Sequence, residues 1–121
     1  MEPAEFLTPE ECAEVDKALL TSHDKFTTRV TIYALRSLKQ IAQQANTSIA
    51  TLQSAQIEAW VYQDASLQKA GDGEFRRFFS QLVISSLKPL RRIAREADIE
   101  IDNLAIAQVV VWFEQEAKKK L

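Results

Sequence analysis

The chain is poor in the residues that most often do chemistry: it has one cysteine, Cys12, and one histidine, His23, among 121 residues. A single cysteine forms no internal disulfide, which fits a reducing compartment, and there is no Cys-x-x-Cys or His-x-x-x-His pair to hold zinc. On one continuous helix, Cys12 and His23 would share an azimuth but lie about three turns apart, too far to exchange a proton. The two glycines, Gly71 and Gly73, fit neither a phosphate-binding loop nor a dinucleotide-binding frame. Asp98, Glu100 and Asp102 alternate as in a calcium loop, but without its glycine or its closing glutamate. These absences predict a protein that is not an enzyme and takes neither metal nor cofactor.

Long apolar runs are missing as well. The most apolar window, Ala105 to Phe113, is less than half of the roughly 20 residues that span a bilayer, so no membrane span is expected. The first residues, Met1-Glu2-Pro3-Ala4-Glu5, are acidic where an export signal is basic, which makes the cytoplasm the expected compartment.

What is present is an uneven charge distribution and an internal repeat. The net charge is only −2, with pI near 5.4. Residues 1–24 nevertheless carry seven acids against the single base Lys17, and residues 65–97 carry seven bases against Asp72, Glu74 and Glu96. Acidic head and basic second half are expected to complement one another within the fold or between subunits.

Shifting the sequence by 52 positions aligns residues 23–64 with 75–116 without a gap, and 13 of 42 pairs are identical. Eleven of the identities are apolar or small and two are glutamines, from Phe26/Phe78 and Ile32/Ile84 to Gln56/Gln108 and Trp60/Trp112. They recur at helical spacing, so the copies share a buried helical face.

The predicted fold is therefore all-α: a five-helix bundle of a leading short helix and two duplicated long-helix/short-helix hairpins with pseudo-twofold symmetry. One domain, 1–121, divides into an N-terminal helix (1–22), a first repeat (23–64), a linker (65–74), a second repeat (75–116) and a basic tail (117–121). Thr8-Pro9-Glu10-Glu11 starts the first helix, which is expected to run to about Leu20, with a capping threonine, proline at the first position and glutamate three residues on. Leu7 followed by Glu11 parallels Leu52/Gln56 and Leu104/Gln108, as if it were the remnant of a third short helix. The long helices are expected at about Asp24–Ala45 and Glu74–Ala97, ending at Asn46 and Asp98. Thr51 and Asn103 are expected to cap the short helices, and Ile49 and Leu52 to plug the corner. The linker Lys69-Ala70-Gly71-Asp72-Gly73 is the break between units. Pro89 replaces Ser37 and is expected to kink the second long helix near Ser85–Ser86.

Two surfaces are candidates for function. Lys88, Arg91, Arg92 and Arg95 are spaced to share one side of a helix and could grip nucleic acid or another anion, extended by Arg76, Arg77 and Lys118-Lys119-Lys120. The ordinary alternative is a solvated face, with cations complementing the helix dipole. The second surface is apolar. Phe75, Phe78, Phe79 and Leu82 form a stripe where the first copy has His23, Phe26, Thr27 and Val30. Val110 and Val111 replace Glu58 and Ala59, leaving residues 105–113 apolar almost all round. Such a helix is covered on several sides, centrally or at an interface. Phe75, Phe79, Val110 and Val111 are the candidate interface residues, and the paired tryptophans are expected to be core anchors.

The runs Leu7–Glu11, Ala18–Phe26 and Leu35–Ala42 resemble small helical proteins of cyanobacteria that have no assigned role. The resemblance covers about the first half of the chain and implies a cytoplasmic protein, with no activity or site to carry over. The reading that follows is a non-enzymatic interaction or regulatory module, binding a protein partner or itself as a homodimer. The alternative is a nucleic-acid-binding regulator using the basic helix face.

Overall fold

The computed structural model describes residues 7–64, 67 and 73–119, and among them every regular element is helical. The α-helices are α1 (Pro9–Asp16), α2 (Ser22–Gln44), α3 (Ser54–Gln63), α4 (Gly73–Ser85), α5 (Leu87–Ala97) and α6 (Ile106–Lys119). The all-α class is as expected, with α4 and α5 forming the second long helix in two segments. Most of the linker, Lys69 to Asp72 included, lies outside the described residues.

At the start of α1, Glu11 Oε1 accepts the Thr8 N–H at 2.9 Å and Thr8 Oγ1 accepts the Glu11 N–H at 3.2 Å. This reciprocal pair satisfies two backbone donors that the first turn cannot bond. The helix stops at Asp16, short of the expected Leu20. The reason lies downstream: Thr21 caps α2, its Oγ1 accepting the Asp24 N–H at 3.2 Å, so the intervening residues must turn the chain. Lys118 and Lys119, placed in a separate tail by sequence, continue α6.

The two hairpin corners are built alike at the same offset. Asn46 (φ 54°) and Asp98 (φ 57°) take the left-handed conformation just past their helices, one that Asn and Asp tolerate better than most residues. The following N–H groups return to the helix, Thr47 to Ala42 O at 2.9 Å and Ile99 to Ala94 O at 3.0 Å. Each corner continues through a 3-10 turn, Ile49–Thr51 and Ile101–Asn103. Thr51 and Asn103 therefore close these turns and do not cap the next helices. Capping falls two residues later, where Gln53 N–H donates to Gln56 Oε1 at 2.7 Å and Ala105 N–H to Gln108 Oε1 at 2.8 Å. With Thr8 and Glu11, three short helices open with the same backbone-to-side-chain bond, each just after a leucine: Leu7, Leu52 and Leu104. Ile49 is buried in its corner and Leu52 half-buried.

Pro89 has no N–H for the Ser85 carbonyl, and the helix divides at Ser86. Ser86 itself stays in helical conformation (φ −68°, ψ −16°). Its buried hydroxyl donates to Leu82 O at 2.8 Å.

The central helix is α2. All five other α-helices pack on it, and every residue from Thr28 to Leu38 is buried except Arg29 and Arg36, which are half-buried. Of the two ways in which residues 105–113 were expected to be covered, the central one does not hold within the chain: Val109 and Val110 of α6 are buried, but Ala107 and Val111 are exposed. Buried hydroxyls on α2 bond back one turn, Thr28 Oγ1 to Asp24 O at 2.7 Å and Thr31 Oγ1 to Thr27 O at 2.9 Å, which removes the cost of desolvating them.

The two half-buried arginines bind α1. Arg36 Nε lies 3.2 Å from Glu11 Oε2, and Arg29 lies 3.3 Å from Asp16 Oδ1. Within the fold, Glu11 and Asp16 of the acidic head are thus matched by α2, where the sequence pointed to the basic second half within the fold or between subunits. Arg36 also sits 5.2 Å from the centre of the Tyr33 ring. Tyr33 is fully buried, packs edge-on against Phe79 at 5.1 Å, and donates its hydroxyl to Asp64 at the end of α3. Burial, then the Asp64 carboxylate, pushes the phenol far above its ordinary range.

Two predictions follow from this network. Glu11→Ala removes one partner of a largely buried ion pair together with half of a capping box. Because a quarter of Arg36 remains in solvent, the expected loss is about 2 kcal/mol. Glu14→Ala, whose ion pair among the described residues is with the exposed Lys17, should cost about 0.5 kcal/mol or less by denaturant titration. The raised Tyr33 phenol means that the folded state keeps a proton the unfolded chain releases from about pH 10 upward. Stability is then lost as pH rises beyond that point. Melting temperature should fall more steeply above about pH 10 in the natural chain than in Tyr33→Phe.

Candidate interaction surfaces

Lys88, Arg91, Arg92 and Arg95 are all exposed on α5, but they are not equivalent. Arg92 is tied into a clasp between α5 and α6. Its Nε is 2.9 Å from Glu96 Oε2, another nitrogen is 3.5 Å from Glu116 Oε1, and its guanidinium lies 5.3 Å from the Trp112 ring centre. The Trp112 indole N–H donates to Glu96 Oε1 at 3.1 Å. Hydrogen bonds from Arg92, and secondly from Trp112, hold the Glu96 carboxyl below its usual range. Lys88, Arg91 and Arg95 have no ion pair with any described residue. Residues 75–95 contain six bases and no acid, so nothing on this stretch of helix offsets them.

The flanking bases are divided in the same way. Arg76 is folded onto Tyr62, donating to its carbonyl at 2.9 Å with the guanidinium 5.8 Å from its ring centre. Lys119 meets Glu116 at 2.7 Å. Arg77 is exposed, as is Lys118, and Lys120 lies outside the described residues.

The phenylalanine stripe is divided between the inside and the outside of the bundle. Phe79 is fully buried, and Phe75 is half-buried against it with ring centres 5.4 Å apart. Positions 75, 79 and 83 share one face of α4, and Phe79 on that face meets Tyr33 of α2. Phe78 lies about 100° round the helix from Phe79 and is 60% exposed. Val110 is likewise buried, while Val111 is 49% exposed. Of the four candidate interface residues, Phe79 and Val110 therefore belong to the core of the chain itself, because each falls on the inward face of its helix.

An apolar groove that no single segment could reveal runs between α5 and α6. It encloses about 410 Å³ and is lined by Ile93, Ala97, Ala107, Val111 and Trp112, with Glu96, Gln108 and Gln115 contributing polar atoms. Its only trace in sequence is the exchange of Ala59 for Val111 between the copies. The tryptophans are half-buried, packed against the core without lying in it, and Trp112 forms one wall of this groove.

The residues considered for chemistry do not converge. Cys12 is on α1 and His23 is exposed in the first turn of α2, so they do not share a helix. Burial, then the neighbouring Asp16 carboxylate, pushes the Cys12 thiol up. Asp102 Oδ2 accepts the Ile49 N–H at 3.0 Å, joining the two hairpin corners. Among the described residues, no three His, Cys, Asp or Glu side chains gather as a metal site would require. No described helix is long and apolar enough to cross a membrane.

The fold and these surfaces define a helical bundle that offers a groove and an uncompensated cationic face. A family model described as NDH complex assembly factor CRR9 matches residues 7–120, and the chain belongs to that family. The match is consistent with the small helical family suggested by the first half of the sequence, and is more specific. No curated protein and no solved structure matches it.

The clasp makes a spectroscopic prediction. In a Trp60→Phe background, Arg92→Ala should expose the Trp112 indole and raise its quenching by acrylamide. Arg91→Ala, on a side chain with no described partner, should leave quenching unchanged.

Proposed function

We propose that this protein is a non-enzymatic factor in building an NDH complex, and that it acts by binding a protein component of that complex through its exposed surface. The observation that carries this reading is the family match over residues 7–120. The uncompensated bases of α5 and the α5–α6 groove are the parts of the surface suited to it. Protein interfaces of this kind combine an apolar core with complementary charge around it. The same residues could meet nucleic acid, but the chain is acidic as a whole, with pI near 5.4, and the family description concerns a protein complex. The compartment is then wherever that complex is put together, and a homodimer through Val111 is a separate reading that the exposure of that residue allows.

We further infer that the two hairpins arose by duplication of one unit. The identical offset of the left-handed residues, the 3-10 turns and the glutamine-capped helix starts supports this.

Deleting the coding sequence in the source organism tests the functional reading. The NDH complex should fail to accumulate on native gels, while transcripts for its subunits remain. Accumulation at the normal level would overturn the assignment.

A further inference from the structure

The two units present the same stripe of helix surface under different conditions. At an offset of 52, Arg29, Ile32, Tyr33 and Arg36 of α2 correspond to Gln81, Ile84, Ser85 and Lys88 of α4–α5. Both sets follow the i, i+3, i+4, i+7 spacing of one helical face. On α2 this face is closed: Ile32 and Tyr33 are buried, and the arginines at either end hold Asp16 and Glu11 of α1 at 3.3 and 3.2 Å. On α4–α5 it is largely open: Ser85 and Lys88 are exposed, Ile84 is half-buried, and Gln81 is exposed while donating to Glu58 Oε1 of α3 at 3.0 Å. The exposed Phe78 lies at one end of this open stripe, and Arg91 and Arg95 continue it at the other.

On α2 the face is closed jointly: Tyr33 lies against Phe79 of α4 and bonds Asp64, while the arginines at its ends are met by α1. That α1 is a short acidic helix carrying Glu10, Glu11, Glu14 and Asp16, with Val15 turned fully inward. We propose that the open stripe of α4–α5 receives an acidic amphipathic helix from a partner protein, docked as α1 docks on α2. Lys88, Arg91 and Arg95 supply the charge, with no described residue neutralising them, and Phe78 and Ile84 supply the apolar contact. The division of the stripe favours protein over a polyanion. Its cations are confined to one half, and the other half is neutral or apolar, whereas a nucleic-acid backbone would present uniform charge to both. The class of occupant rests on the assembly-factor reading.

The test places a photo-reactive phenylalanine analogue at Ser85 of the full chain, in its source organism, with the same group at Ala55 on α3 as control. Adducts are mapped by mass spectrometry. The expected result is attachment from position 85, and not from position 55, to a helical protein segment rich in Asp and Glu. In Lys88→Glu/Arg91→Glu/Arg95→Glu the yield should fall at least tenfold with an unchanged melting curve, and raised salt should weaken it in the natural chain. Adducts on nucleic acid, lipid, a second copy of the chain or a segment without net negative charge would overturn the proposal. So would the absence of adducts, or a yield untouched by the triple substitution. The deletion experiment is read separately. Normal NDH accumulation with an acidic-helix adduct at position 85 would reject the functional reading alone; lost accumulation with any overturning adduct result would reject the docking face alone.

Discussion

A helix that is covered on every side can carry a charge only if something comes to meet it. α2 is such a helix, and Arg29 and Arg36 are the two charges along its enclosed length. Leaving either guanidinium half-buried without a counter-charge would cost about 1–2 kcal/mol. Asp16 and Glu11 meet them, which fixes where α1 lies and in which direction it runs, since Glu11 near the start of α1 reaches the later arginine and Asp16 at its end the earlier one. With α1 fixed, Arg36 lies over Tyr33, Tyr33 meets Phe79 of α4, and its hydroxyl reaches Asp64 at the end of α3. Three helices are thereby tied to one stretch of α2.

The second unit uses the same architecture without that constraint. Lys39 of α2 donates to the Leu104 carbonyl, and Asp102 accepts from Ile49, so the second corner is bound to the first unit. Their counterparts at the same offset, Arg91 and Ala50, are exposed. Pro89 adds a further difference by interrupting the hydrogen bonds of the second long helix. The outcome is one enclosed long helix and one that lies along the outside with its bases in solvent.

Local chemistry was legible in the sequence wherever a signal and its consequence lie within one turn. Thr8, Pro9 and Glu11 announce the start of α1, Asn46 and Asp98 mark helix ends, and Pro89 marks the division at Ser86. The end of α1 was misplaced because Thr21, which caps α2, competes with the continuing apolar run Ala18-Leu19-Leu20. Burial was legible as a period but not as a direction. Phe75, Phe78 and Phe79 all fit a stripe, and only the position of α2 decides that Phe79 points inward and Phe78 outward. Charge pairing was least legible. Arg29 and Arg36 look like ordinary polar positions on a long helix, so the acids of the head seemed to call for the conspicuous bases of the second half. The nearer arginines win because the short turn from α1 to α2 brings them together at little cost in chain entropy. The clasp of Arg92 and the α5–α6 groove depend on two helices meeting, which no single stretch of residues encodes.

That pairing bears on how an exposed cationic face could serve an assembly factor. α1 is joined to α2 by a few residues, so its acidic helix is presented at high effective concentration and stays docked although its individual contacts are modest. An acidic helix supplied by another molecule would meet an analogous face without that advantage. Charge would speed its approach, since long-range attraction raises association rates more than it raises affinity, and shallow, solvent-exposed ion pairs would let it leave. A factor that takes part in building a complex without remaining in it needs both properties. On the docking proposed above, the same face chemistry would give a permanent contact within the chain and a reversible one between chains, the difference lying in the tether and not in the residues.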